Sequence, residues 1–149
     1  MKRRFNRHQR STARLGVVQM LFVHQNGETD IKTEELLNFF DDTWEKPDMH
    51  FLQKRINSAC KNITQIDEYI TSGLQSGWTM ERIDPVLYAI LAAATDEMMD
   101  SSKETPSEIV VKEYADLAAD FFDISETAFV NAYLNDLKVK LNASIHQKN

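Results

Sequence analysis

Apolar residues recur at helical spacing along almost the whole chain. From about residue 10 to 24, Ala13, Val17, Met20 and Leu21, flanked by Val18 and Phe22, fall on one side of a 3.6-residue repeat, and Gly27 ends the run. Thr33 is placed to cap a second helix, with Glu34 and Glu35 at its positive end and Leu36, Leu37 and Phe40 on its apolar side. Pro47 closes the next turn. The stripe Phe51, Leu52, Ile56, Ala59, Ile63, Ile66, Ile70 and Leu74 then continues from Asp48 and stops before Gly77. That run is long for one helix in a small domain, so a break near Asn62–Thr64 is expected. Pro85 opens a helix reaching about Met99, and Ala89, Ile90, Leu91, Ala92, Ala93 and Ala94 make it apolar nearly all round, the pattern of a central buried helix. Thr105-Pro106-Ser107-Glu108 predicts a helix start, with Thr105 as cap, Pro106 in the first helical position and Glu108 completing a capping box. Val110, Tyr114, Leu117 and Phe121 line that helix. Ser125 is expected to cap the last one, which carries Phe129, Val130, Tyr133, Leu134, Leu137 and Leu141. No alternation long enough for a strand occurs. The expectation is an all-α domain of about seven helices.

Composition agrees. The 149 residues are 42% apolar, enough for one core, and only four glycines and three prolines interrupt them. The expected layout is a basic flexible arm over 1–9, a helical domain over 10–141 and a tail over 142–149. Charge changes the picture more. The net charge is -6, yet residues 1–14 hold Lys2, Arg3, Arg4, Arg7, Arg10 and Arg14 and no acid; the remainder sets eleven basic residues against 23 acidic ones, or -12. A basic arm on an acidic body points to phosphate contacts made by the arm, against the plainer alternative of a solvated terminus.

Candidate chemistry is sparse. His8, His24, His50 and His146 are far apart and lack partners at ligand spacing, so no metal is expected. Neither a phosphate-binding glycine loop nor a nucleophile motif is present, and no enzyme or cofactor is expected. Asp41–Asp42 and Asp96–Glu97 read as solvated helix ends. Glu113, on a mostly apolar helix, reads as a hydrogen-bonded structural carboxylate, and Met98–Met99 as core filling. Trp44 and Trp78 read as packing residues. Cys60, beside Ile56, Ala59 and Ile63, reads as a buried structural thiol, and a lone cysteine suits a reducing compartment, the cytoplasm. The arm followed by Leu15–Val23 is a poor secretory or transit signal, and no apolar run approaches a membrane span.

Four short segments, in order, carry a resemblance. Arg10-Ser-Thr-Ala-Arg14 leading into Gln19-Met-Leu21-Phe22 is the first, and Trp78-Thr-Met-Glu-Arg82-Ile with Ile90-Leu91 and Glu97-Met98 the second. Thr105-Pro106 with Val110-Val111-Lys-Glu113, Ala115 and Leu117-Ala118 is the third, and Phe129-Val130-Asn131 with Leu134 the last. Together they resemble the NusB family of transcription antitermination factors over about residues 10–137. The resemblance implies two packed three-helix halves and binding to boxA-type single-stranded RNA together with the ribosomal protein NusE, within an RNA polymerase antitermination complex. In some members it implies a homodimer. It also implies an RNA-contacting set of Arg10 and Arg14, with Gln19 and Phe22 on the same helix and Phe129 and Asn131 nearby; Arg3, Arg4 and Arg7 extend the cationic arm. Cations for the backbone and a planar or polar group for an unstacked base are what single-stranded RNA needs.

The chain also departs from the family pattern. Leu87 and Tyr88 stand where an acid-basic pair is frequent, Ala92 replaces an arginine, Ala132 a glycine and Lys112 an asparagine, and Ser125 stands where an acid is common. The partner-binding positions implied are Arg82, Leu87 and Tyr88, with a plain surface charge the alternative for Arg82. These changes leave open a second reading, a divergent helical adaptor that binds protein without specific RNA.

Overall fold

The computed structural model describes residues 7–25, 47–74, 78–102 and 104–147, with side chains from Gln9 to Ala143. Six helices are described: α1 (Arg7–Gln25), α2 (Met49–Lys61), α3 (Ile63–Gly73), α4 (Pro85–Met99), α5 (Ser107–Phe121) and α6 (Ile124–Gln147). The helix predicted after Thr33 lies outside the described residues, as do Gly27, Trp44 and Gly77. Six rather than seven is therefore the count here, and the class is all-α.

α4 is the axis of the molecule. Every residue from Leu87 to Met98 is buried, and α1, α2, α3, α5 and α6 all pack on it. Four alanines allow this, since a side chain of one methyl lets neighbouring backbones approach from several directions. Asp84 starts the helix: its carboxylate accepts from the amides of Val86 (2.8 Å) and Leu87 (3.3 Å), and Pro85 follows where no amide is required. α1 lies against α2 and α4 through Ala13, Val17, Val18 and Leu21, while α5 and α6 pack on each other. The two groups share α4.

The long stripe breaks where expected. Asn62 stands between α2 and α3: its amide donates to the Ser58 carbonyl (3.0 Å) while its own carbonyl accepts from Ile66 (2.9 Å), so one residue ends one helix and starts the next. Asp48 caps α2 by accepting from the Phe51 amide (3.1 Å), and its own amide donates to the Gln9 carbonyl (3.1 Å), which ties α2 to α1. Two expected caps shift. Pro106, extended at φ -58 and ψ 145, is itself the N-cap of α5, so the helix starts at Ser107 and Thr105 is not the cap. α6 starts at Ile124, one residue before Ser125; the Asp123 carbonyl accepts from the Thr127 amide, and the Glu126 carboxylate accepts from the Asp123 amide (3.1 Å).

At the far end of the core, Trp78 stacks on Phe129 with ring centroids 4.8 Å apart and planes 4° from parallel, as its reading as a packing residue required. Phe129 in turn lies 6.4 Å from Tyr133. The Tyr133 hydroxyl shares a hydrogen bond of 2.8 Å with Thr95 on α4. Gly73 ends α3 against this ring: a Cβ there would lie 2.7 Å from Tyr133, so any side chain at position 73 would force the ring or the helix to shift.

Candidate nucleic-acid interface

Arg10 and Arg14 sit one turn apart on α1, yet the fold gives them different environments. Arg14 is 4% exposed. Its guanidinium forks onto Glu97 of α4 (Nε–Oε1 2.9 Å, Nη2–Oε2 2.8 Å), the Tyr114 hydroxyl donates to the same carboxylate (2.8 Å), and Glu113 stands 3.9 Å away. Burial by itself would lower the Arg14 pKa, but the hydrogen bonds and charge of Glu97 outweigh it and leave it raised. Burial first, then the Glu97 charge, pushes the Tyr114 phenol up as well. Arg14, expected from the sequence to contact RNA, is thus forked onto an internal carboxylate, while its edge lines both depressions beside α1. Asp96 and Glu97, read as solvated helix ends, are 2% and 5% exposed. They sit on the all-buried central helix, so each needs a cation from the facing helices, and Arg55 supplies the second.

Arg55 Nη1 lies 3.3 Å from Asp96 Oδ2, and its Nη2 lies 3.0 Å from Asp100. The Arg55 hydrogen bond reaches the Asp96 carbonyl (3.4 Å), which leaves Asp96 Oδ2 charge-paired but without a hydrogen bond. Burial therefore wins over the Ser58 hydroxyl and over Arg55, and raises the Asp96 carboxyl to about 6. Arg55 was not singled out from the sequence, although its place on the buried face of α2 with Leu52 and Ala59 is a signal that could have marked it.

Arg10 is the surface member of the pair, with its side chain 30% exposed. It lies over the Phe51 ring (5.3 Å), 3.5 Å from Asp48 and 2.6 Å from Glu104. It opens onto an α1–α5 groove of 480 Å³ that Lys112, Ile109 and Glu113 also line. Glu113 accepts from the Ser11 hydroxyl (3.0 Å), in keeping with its reading as a structural carboxylate. Farther along α1, the next depression is lined by Glu113, Asp116 and Asp120 of α5 together with Arg14.

The remaining positions fall into three places. Gln19 is half-buried, its Oε1 enclosed with no hydrogen-bond partner, and Phe22 packs against the core. Phe129 is 8% exposed inside its aromatic stack, whereas Asn131 is exposed and lines a 560 Å³ groove between α5 and α6 with Ala115, Phe122 and Thr127. That groove and the one at Arg10 share no residue; α5 runs between them. Of the partner positions, Arg82 is exposed, but Leu87 is sealed in the core at 1% and Tyr88 at 9%, its hydroxyl donating to Asp67. Burial and that bond raise the Tyr88 pKa. Leu87 and Tyr88 are groups that the core can hold, and they offer little surface to a partner. Arg7 opens α1 without a described side chain, and Arg3 and Arg4 lie outside the described residues. Cys60 is exposed, not buried as expected, because it lies on the outer side of α2 beside Lys61. Among the described residues no group of acids, histidines and cysteine is arranged to hold a metal, and no helix is long and apolar enough to cross a membrane.

By architecture this is an all-helical domain built round one buried central helix, with open grooves on either side of α5. The NusB family model matches residues 11–138, and the chain belongs to the NusB family. It is 35% identical over 136 residues to the transcription antitermination protein NusB of Sphingopyxis alaskensis, covering 85% of this chain and 89% of that one. It is 34% identical over 136 residues to the NusB of Rhizobium rhizogenes, covering 86% and 84%. Among solved structures, T. maritima NusB superposes with a TM-score of 0.72 at 25% identity, covering 93% of this chain and 92% of that one.

Proposed function

We propose that this protein is a transcription antitermination factor that binds boxA-type single-stranded RNA jointly with the ribosomal protein NusE and supports read-through during ribosomal RNA transcription. Membership of a family of transcription regulators over residues 11–138 carries this reading. The acid-free arm leading into half-buried Arg10 supports it, since a protein of net charge -6 needs a local cationic patch to approach a polyanion. Arg3, Arg4, Arg7 and Arg10 contact the RNA backbone in this reading. Asn131 offers a polar group at the second groove, and Arg82 is the partner-facing residue. Arg14 and Phe129 hold the scaffold that presents them, and the protein catalyses no reaction.

The test is a titration of fluorescent boxA-like RNA with the full chain, with and without NusE. Sequence-selective binding that tightens with NusE is the expected result, because linked equilibria require the effect to be mutual. Absence of selective binding in both arms overturns the reading and leaves a helical adaptor that binds protein alone.

A further inference from the structure

Arg10 is already holding an anion. Its Nη2 donates to Glu104 Oε1 at 2.6 Å, while the other oxygen of the same carboxylate, Oε2, accepts from Lys54 Nζ at 3.4 Å. Three distant segments converge here: Arg10 from α1, Lys54 from α2 and Glu104 from the turn before α5. All three reach the surface, with side chains 30%, 41% and 40% exposed. A carboxylate whose two oxygens accept separately from a guanidinium and an ammonium presents the same acceptor pair as a phosphodiester, whose two free oxygens can take the same two donors.

The rest of the Arg10 environment fixes the guanidinium in place. Asp48, 4% exposed and committed to capping α2, lies on its Nε side, and the Phe51 ring lies against it. What remains is the Nη2 edge, which faces Glu104 and solvent. Removing Glu104 leaves Asp48 and Phe51 holding Arg10 in the same place.

We propose that Arg10 and Lys54 form a phosphate subsite for single-stranded RNA, filled in the free protein by the Glu104 carboxylate, which the RNA backbone displaces. This rests on the RNA-binding reading above and adds to it a residue on α2 and an acid that sets the affinity. Glu104 competes with the ligand for both cations, so affinity is lower than the cations alone would give. Exposed ion pairs of this kind contribute little to folding, so neutralising Glu104 opens the subsite in a folded protein.

The test compares binding of boxA-like RNA by the full chain in wild type, Glu104→Gln, Arg10→Ala, Lys54→Ala and the Glu104→Gln/Lys54→Ala double variant. Far-UV circular dichroism and denaturation midpoints check each fold, and Glu104→Ala serves as a second neutralisation. Expected are tightening of roughly two- to fivefold in Glu104→Gln and a slope of log K against log salt steeper by up to ~0.7. Lys54→Ala should weaken binding more in the Glu104→Gln background than in wild type. If Arg10→Ala weakens wild-type binding but neither Glu104 variant tightens it, the subsite is wrong and the RNA reading stands. If neither wild type nor Glu104→Gln binds RNA, both fall together.

Discussion

Two arginines one helical turn apart on α1 show how far burial decides what a residue does. Truncating Arg14 would leave the Glu97 carboxylate buried on the central helix with its charge unpaired and the Tyr114 hydroxyl as its remaining donor. Breaking a buried pair of this kind costs about 3–5 kcal/mol, a large share of the stability of a domain this size. Arg14→Ala should therefore lower the urea midpoint sharply, or abolish folding, whereas Arg10→Ala should change stability by about 1 kcal/mol or less. Equal losses in the two variants would refute the assignment of Arg14 as structural. A double variant of both arginines would report on folding before it reported on RNA. Asp96 gives a pH-dependent counterpart. Its carboxyl lies at about 6 in the folded protein against 3.8 as its ordinary value, with burial the main cause. A carboxyl raised on folding favours the native state below its unfolded pKa and loses that contribution as pH rises through the folded one. Between pH ~4 and ~6 the wild type should lose about 3 kcal/mol relative to Asp96→Asn, in which Arg55 keeps Asp100 and the backbone carbonyl. Parallel stability curves for the two proteins over that range would contradict the assignment.

At the scale of elements, what could be read in advance follows from which signals are local. The break at Asn62, the start of α4 at Pro85 and the burial of α4 on all sides depend on residues adjacent in sequence, and each was legible. Caps were less so: Ser125 and Thr105 are good capping residues by type, but Asp123 with Glu126 sets one start two residues earlier, and the extended Pro106 sets the other one residue later. The exposed cysteine and the buried acids escaped for a different reason. An apolar stripe says which face of a helix is inward, whereas Asp96 and Glu97 face inward because Arg55 and Arg14 arrive from other helices. Glu104 was invisible for the same reason, since its meaning comes from Lys54 and Arg10, 50 and 94 residues away. The contact of α3 with α6 at Gly73 is equally non-local. Gly73→Ala would place a methyl 2.7 Å from the Tyr133 ring, which is held by the Thr95 hydroxyl and by the Phe129 stack. A destabilisation of about 1–3 kcal/mol is expected, read as a lower midpoint in chemical denaturation. A neutral result would mean that the ring turns aside and that its hydrogen bond to Thr95 is weak.

At the scale of the whole molecule, the charge map separates folding from recognition. Ala13 is the first buried residue along the described chain, the core runs from there to Leu137, and Lys2, Arg3, Arg4, Arg7 and Arg10 precede it in the sequence. Deleting residues 2–6 removes Lys2, Arg3 and Arg4 and takes the net charge from -6 to -9. An arm that serves RNA binding through its charge should leave stability within about 0.5 kcal/mol of wild type when it is removed. RNA affinity should fall, because each cation that neutralises a phosphate contributes ~0.7 to the salt slope of a single strand, which at 0.1 M salt corresponds to a factor on the order of five. The truncated protein should then show both a weaker Kd and a shallower salt dependence, the two moving together. A truncated chain that binds boxA-like RNA with the wild-type slope would move the contact off the arm and onto Arg10 and its neighbours alone. Lost affinity with an unchanged slope would mean that the arm contributes something other than charge.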